Sequence, residues 1–122
     1  MTRIPDFSET ELEVVREALA ERWGRPVEVE VAEAEVRLDP HAFQLTTCPA
    51  LYWEVDGCHF VVIKTAPTRY RCQFYYRIRE MYGTGIEEYD DLGQCVLTLL
   101  RVQADHALQR RREAEGSGEG GG

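Results

Sequence analysis

The chain has 122 residues, 22 of them acidic and 14 basic, for a formal net charge of −8. That length sustains one domain with a modest core rather than two, and the ordinary apolar content excludes wholesale disorder. The charge argues against nucleic-acid binding, which rests on neutralising phosphates, and suits solubility or a basic partner.

No apolar run approaches the roughly 20 residues that span a bilayer, and the N-terminus lacks the apolar segment of a secretory signal. The expectation is a cytoplasmic protein with no membrane partner, its four cysteines (Cys48, Cys58, Cys72 and Cys95) reduced.

Met1 to Asp6 is a short lead-in. Ser8 and Glu11 then have the spacing of a capping box, and Phe7 and Leu12 that of a hydrophobic staple. Leu12, Val15, Leu19 and Trp23 form one apolar stripe, Gly24 suits a helix end and Pro26 forbids continuation, so a helix is predicted over 8–23. Val27 to Leu38 reads as a strand whose parity slips, because Val27, Val29 and Val31 share one side and Val36 and Leu38 the other phase. A bulge near Ala32 to Ala34 reconciles them. Asp39 to Pro49 reads as a loop, with Phe43 and Leu45 expected to plug one end of the core.

The stretch from Ala50 to Arg79 is the centre of the predicted sheet. Asp56-Gly57 between two apolar runs is a strong hairpin signal, since both middle residues of a type I′ turn need positive φ. A two-residue turn places Val55 opposite Cys58, Trp53 opposite Phe60 and Leu51 opposite Val62 on a core face. The other face carries Tyr52 opposite Val61 and Glu54 opposite His59, and is expected to be half-covered. The next run alternates cleanly. Tyr70, Cys72, Phe74, Tyr76 and Ile78 point one way, and Arg71, Gln73, Tyr75, Arg77 and Arg79 the other, which predicts a strand over 70–79. Gly83-Thr84-Gly85 breaks the chain. Asp91 and Gln94 resemble a second capping box, and Leu92, Val96, Leu99, Leu100 and Gln103 give a helical face that runs to about Arg112. The Gly-rich end is expected to be a flexible tail over 115–122, leaving one domain over 1–114.

The arginine side of strand 70–79 is the most unusual feature. Arg71, Arg77 and Arg79 with Tyr75 on one face, and Tyr52 nearby, could clamp an anion and stack on a ring. Alternatively Glu28 and Glu30 neutralise these arginines across the ladder. Glu54 and His59 form a cross-strand pair able to move protons, but no nucleophile or cofactor motif accompanies them, so no catalytic residue is assigned. Four cysteines without a Cys-x-x-Cys pair do not make a structural zinc site, and the adjacent Cys58 and His59 point to opposite faces of a strand. No metal and no cofactor are expected. Glu87, Glu88, Asp90 and Asp91 lack the calcium-loop pattern and suit a helix N-terminus.

The element order α-β-β-β-β-α predicts an α+β fold: an antiparallel sheet of about four strands with both terminal helices on its apolar face. A more strongly curled, partial barrel is the alternative. The functional expectation is a small acidic, non-catalytic interaction module, such as an adaptor, an assembly chaperone or an inhibitor. Its partner is another protein, a basic one or a second copy of the chain. The competing expectation is a small-molecule or anion-binding protein or enzyme. In either case the contact residues are Arg71, Tyr75, Arg77, Arg79, Tyr52, Glu54 and His59.

Overall fold

The computed structural model describes residues 4–77 and 79–120. The expected inward position of Ile78, the first three residues of the lead-in and the last two of the expected tail lie outside the described residues.

The first helix, α1, spans Glu9–Trp23 and begins as its capping box dictates. Ser8 Oγ accepts from the Glu11 amide, and Glu11 Oε1 accepts from the Ser8 amide. Gly24 closes the helix at φ 68°, where a Cβ is strained, and donates to the Ala20 carbonyl. Five strands follow: β1 (Glu30–Val36), β2 (Thr46–Val55), β3 (Cys58–Ala66), β4 (Arg69–Tyr75) and β5 (Met81–Tyr82). A long helix, α2, covers Leu92–Gly120, with Asp91 Oδ1 accepting from the Gln94 amide at its start. The helix continues past Arg112, where the sequence reading ends it.

Every neighbouring strand pair is antiparallel and consecutive, so the sheet is an open meander in the order β1-β2-β3-β4-β5. The fold is α+β, with one more strand than expected. The Asp56-Gly57 turn has φ 51° and 78°, both positive as a type I′ turn requires. It sets the expected register: Val55 pairs with Cys58, Trp53 with Phe60 and Leu51 with Val62. These six side chains are all buried. They form the core with Leu12, Val15 and Leu19 of α1 and Leu92, Cys95, Val96, Leu99 and Leu100 of α2. Each large side chain fully buried here contributes about 1.5–3 kcal/mol.

Both helices lie on that face. Two aromatic contacts fix α1 and the residues that lead into it: Trp23 packs edge-on to Phe60, and Phe7, just before the helix, lies beside Tyr70. Farther along α2, His106 packs among Phe74, Tyr76 and Tyr82, while Gln103 donates to the Tyr76 hydroxyl. Arg110 sits over the Tyr76 ring and pairs with Glu80 at 3.5 Å.

Four sequence expectations are corrected. The β1–β2 register is regular from Glu30 to Val36, so there is no bulge near Ala32 to Ala34. The parity slip arises because residues 27–29 precede the strand; Val27 is buried in the core from outside the sheet, whereas Val31 is left 62% exposed. The loop expected to last through Pro49 ends earlier, since β2 begins at Thr46. Pro49 is tolerated because it pairs only on the β1 side; the β2–β3 ladder starts at Ala50, so the missing N–H breaks no bond there. Phe43 and Leu45 do not plug the core, being 96% and 54% exposed. Finally, β4 stops at Tyr75 and the chain bends through Tyr76 and Arg77 before β5, so Arg77 and Arg79 are not strand residues.

Candidate functional site

The sheet face opposite the helices is built by strand parity. Three rows of side chains cross it, each fixed by direct pairing. Glu54, His59, Tyr75 and Met81 form the first row; Glu30, Tyr52, Val61 and Gln73 the second; Ala32, Ala50, Ile63 and Arg71 the third. No helix lies over these rows among the described residues. Tyr52, His59, Val61, Ile63 and Tyr75 are half-buried, largely by one another.

His59 is the centre of the first two rows. Its ring stacks on Tyr75, with centroids 4.7 Å apart and planes 10° from parallel, and on Tyr52 at 5.8 Å. Its Nε2 lies 3.3 Å from Glu54 Oε2, and its Nδ1 lies 2.5 Å from the Tyr52 hydroxyl. Tyr52 thus meets one ring nitrogen through a hydrogen bond, and the Glu54 carboxylate lies beside the other. Burial raises the Tyr52 phenol above its ordinary range, and Tyr75, Glu54 and Glu30 add to the shift. The phenol therefore stays a donor. Tyr52, His59 and Glu54 are linked on an open surface by one hydrogen bond and one close imidazole–carboxylate contact, which together hold three side chains in one arrangement.

Two shallow depressions flank this chain. One, of about 240 Å³, is lined by Glu28, Glu30, Tyr52, Trp53 and Glu54. It lies where β1 begins at Glu30 and leaves the end of β2 without a partner strand on that side. The other, of about 170 Å³, is lined by Val36, Ile63, Arg71, Cys72 and Gln73. A wider cleft of about 770 Å³ runs along α1 between Glu9, Glu13, Arg16, Glu17 and the segment Pro26–Glu28. It shares Glu28 with the first depression, so acidic side chains continue around this edge of the sheet.

Of the residues singled out by sequence, Tyr52, Glu54, His59 and Tyr75 meet in one cluster, and Arg71 shares their face. Arg77 and Arg79 are exposed and lie beyond the strand. Arg71 is neutralised, though not by the glutamates expected: Glu30 belongs to β1, at the far edge, and the partner is Glu88, 3.3 Å away. Glu88 also accepts from Thr65 Oγ1 at 3.0 Å. Hairpin parity could have yielded Ile63 and, with β4, Gln73 as further members of the face. Glu88 and Met81 carried no such signal, because they are placed by a loop and by a two-residue strand. Among the described residues no cluster of acidic, histidine and cysteine side chains has the arrangement to hold a metal.

Comparison of the chain with family models, curated proteins and solved structures finds no match.

Proposed function

We propose that the protein is a non-catalytic interaction module that takes a basic segment of a partner protein on its open sheet face and the adjoining acidic edge. The observation that carries this reading is the uncovered face itself: aromatic and aliphatic side chains in register across three strands, bordered by Glu28, Glu30 and Glu54. Flat surfaces of this kind suit another polypeptide better than a small molecule, which favours an enclosing cavity. Both depressions on the face are shallow, and Arg71, which an anion would need, is engaged by Glu88. Acidic borders attract a basic partner and discriminate against an acidic one, including a second copy of this chain.

A labelled peptide alternating lysine and valine is a suitable probe, read by fluorescence anisotropy and by amide chemical-shift mapping. The expected result is perturbation centred on Glu30, Tyr52, Glu54, His59 and Val61. The double substitution Glu30→Gln and Glu54→Gln is expected to weaken binding about three- to tenfold, and added salt to weaken it further. Shifts confined to other surfaces, or binding indifferent to both substitutions, would overturn the assignment.

A further inference from the structure

Cys72 and Cys95 are 23 positions apart in sequence and meet where β4 passes beneath the first turn of α2. Cys72 leaves β4 on the helix-facing side, and its Sγ lies 3.9 Å from the Cys95 carbonyl oxygen. The two thiols are close enough for the ionisation of one to depend on the other. Cys95 is fully buried and Cys72 partly exposed, and both are free thiols. Cys95 beside it draws the Cys72 thiol below its ordinary range. Cys72 in turn, with burial, pushes Cys95 far up. Cys48 and Cys58 differ: burial raises both, Cys58 to about 11. Among the four cysteines, only Cys72 combines partial exposure with a side chain packed against a second cysteine, the attributes of a thiol that oxidises and is then resolved.

We propose that Cys72 and Cys95 are an oxidation site, which a hydroperoxide converts into an intramolecular disulfide joining β4 to α2. The Cys72 thiolate attacks one oxygen of hydrogen peroxide; the S–O bond forms, the O–O bond breaks, and the departing hydroxide leaves as water on taking a proton. The Cys95 sulfur then attacks the Cys72 sulfenic acid. The S–S bond forms, the S–O bond breaks, and the leaving hydroxide takes the Cys95 proton. Two thiols lose two electrons and one peroxide becomes two waters. The bond closes a ring over the segment that carries Glu88, the partner of Arg71, and Tyr89, which pairs with Tyr70 through backbone hydrogen bonds. Oxidation therefore tethers the border of the open face to the helical layer. This chemistry does not depend on the identity of any partner.

The test is peroxide titration of the full chain, followed by unfolding, alkylation and peptide mass spectrometry. The expected product is about 2 Da lighter, with Cys72 linked to Cys95 and Cys48 and Cys58 still alkylated. Dithiothreitol is expected to restore four alkylatable thiols. In Cys95→Ser the reaction is expected to stop at a Cys72 sulfenic acid, trapped by dimedone; circular dichroism checks that this variant folds. Met81, half-exposed at the sheet edge, reports the oxidant dose through its sulfoxide. Peroxide that oxidises Met81 while Cys72 stays fully alkylatable would overturn the proposal. So would disulfides in the wild-type chain that join Cys48 or Cys58 as readily as Cys72 and Cys95.

Discussion

At the scale of single residues, Glu11 does more than cap a helix. Besides closing the capping box, it accepts from Lys64 Nζ at 2.7 Å and from the Tyr70 hydroxyl. Lys64 is only 4% exposed, and its other hydrogen bond is to the Asp6 carbonyl at 3.2 Å. A buried ammonium that loses its carboxylate is left short of compensation, so Glu11→Gln is expected to cost about 3 kcal/mol in urea unfolding. Burial alone would raise the Glu11 carboxyl, but hydrogen bonds from Lys64, Tyr70 and Ser8 outweigh it and lower it. A lowered carboxylate contributes stability that is complete above its ordinary value of 4.5 and is lost as pH falls below it. Tyr70 gives the opposite sign. Burial, then the Glu11 hydrogen bond and charge, raise its phenol above 10.0, so its contribution is complete below pH 10 and is lost on further alkalinisation. Unfolding midpoints measured from pH 3 to pH 12 should show both limbs (roughly the span of these titrations). Glu11→Gln should flatten the acid limb, and Tyr70→Phe the alkaline one.

At the scale of elements, the hairpin and the helix caps are the parts that local chemistry dictates. Gly57 sits at φ 78° with open space around an added Cβ, so Gly57→Ala isolates the conformational penalty. It is expected to destabilise by about 1–2 kcal/mol in urea unfolding. Asp91→Ala removes the acceptor of the Gln94 amide and should cost about 1 kcal/mol by the same measurement. The same local rules explain what was legible in the sequence. The α1 cap, the Asp56-Gly57 register, both faces of that hairpin and the N-terminus of α2 follow from neighbours within four residues or from a two-residue turn. What was not legible depends on partners distant in sequence. Valine suits a strand and alternation puts Val27 in one, yet it is buried in the core outside the sheet. Tyr76 and Arg77 keep perfect alternation, but the chain bends there, and the Tyr76 ring packs against Phe74, His106 and Arg110. Alternation puts Arg71 on the correct face but does not name its partner, because Glu88 arrives from a loop with no periodicity.

At the scale of the whole molecule, the two sides of the sheet have different tasks. One holds both helices and nearly all the buried bulk. The other presents ordered, half-buried side chains that contribute little to the core. Substitutions on the two sides should separate accordingly. Phe60→Ala, at a fully buried ring, is expected to cost about 3–5 kcal/mol in denaturant unfolding. His59→Ala, on the opposite face of the same strand though adjacent in sequence, should lower stability by less than about 1 kcal/mol while weakening binding of the lysine–valine probe.

The meander has a consequence for the order of assembly. Each strand pairs with its sequence neighbour, so the sheet closes through short loops, whereas the Glu11–Lys64 link spans 53 positions. Closing that distance early costs entropy that few contacts yet repay. The expected order is that the hairpins form first and α1 settles onto them after the rate-limiting barrier. Stopped-flow measurements on Glu11→Gln should then show a faster unfolding limb with a nearly unchanged refolding limb. The N-terminal helix acts, in time, as the latch that slows the native chain's escape.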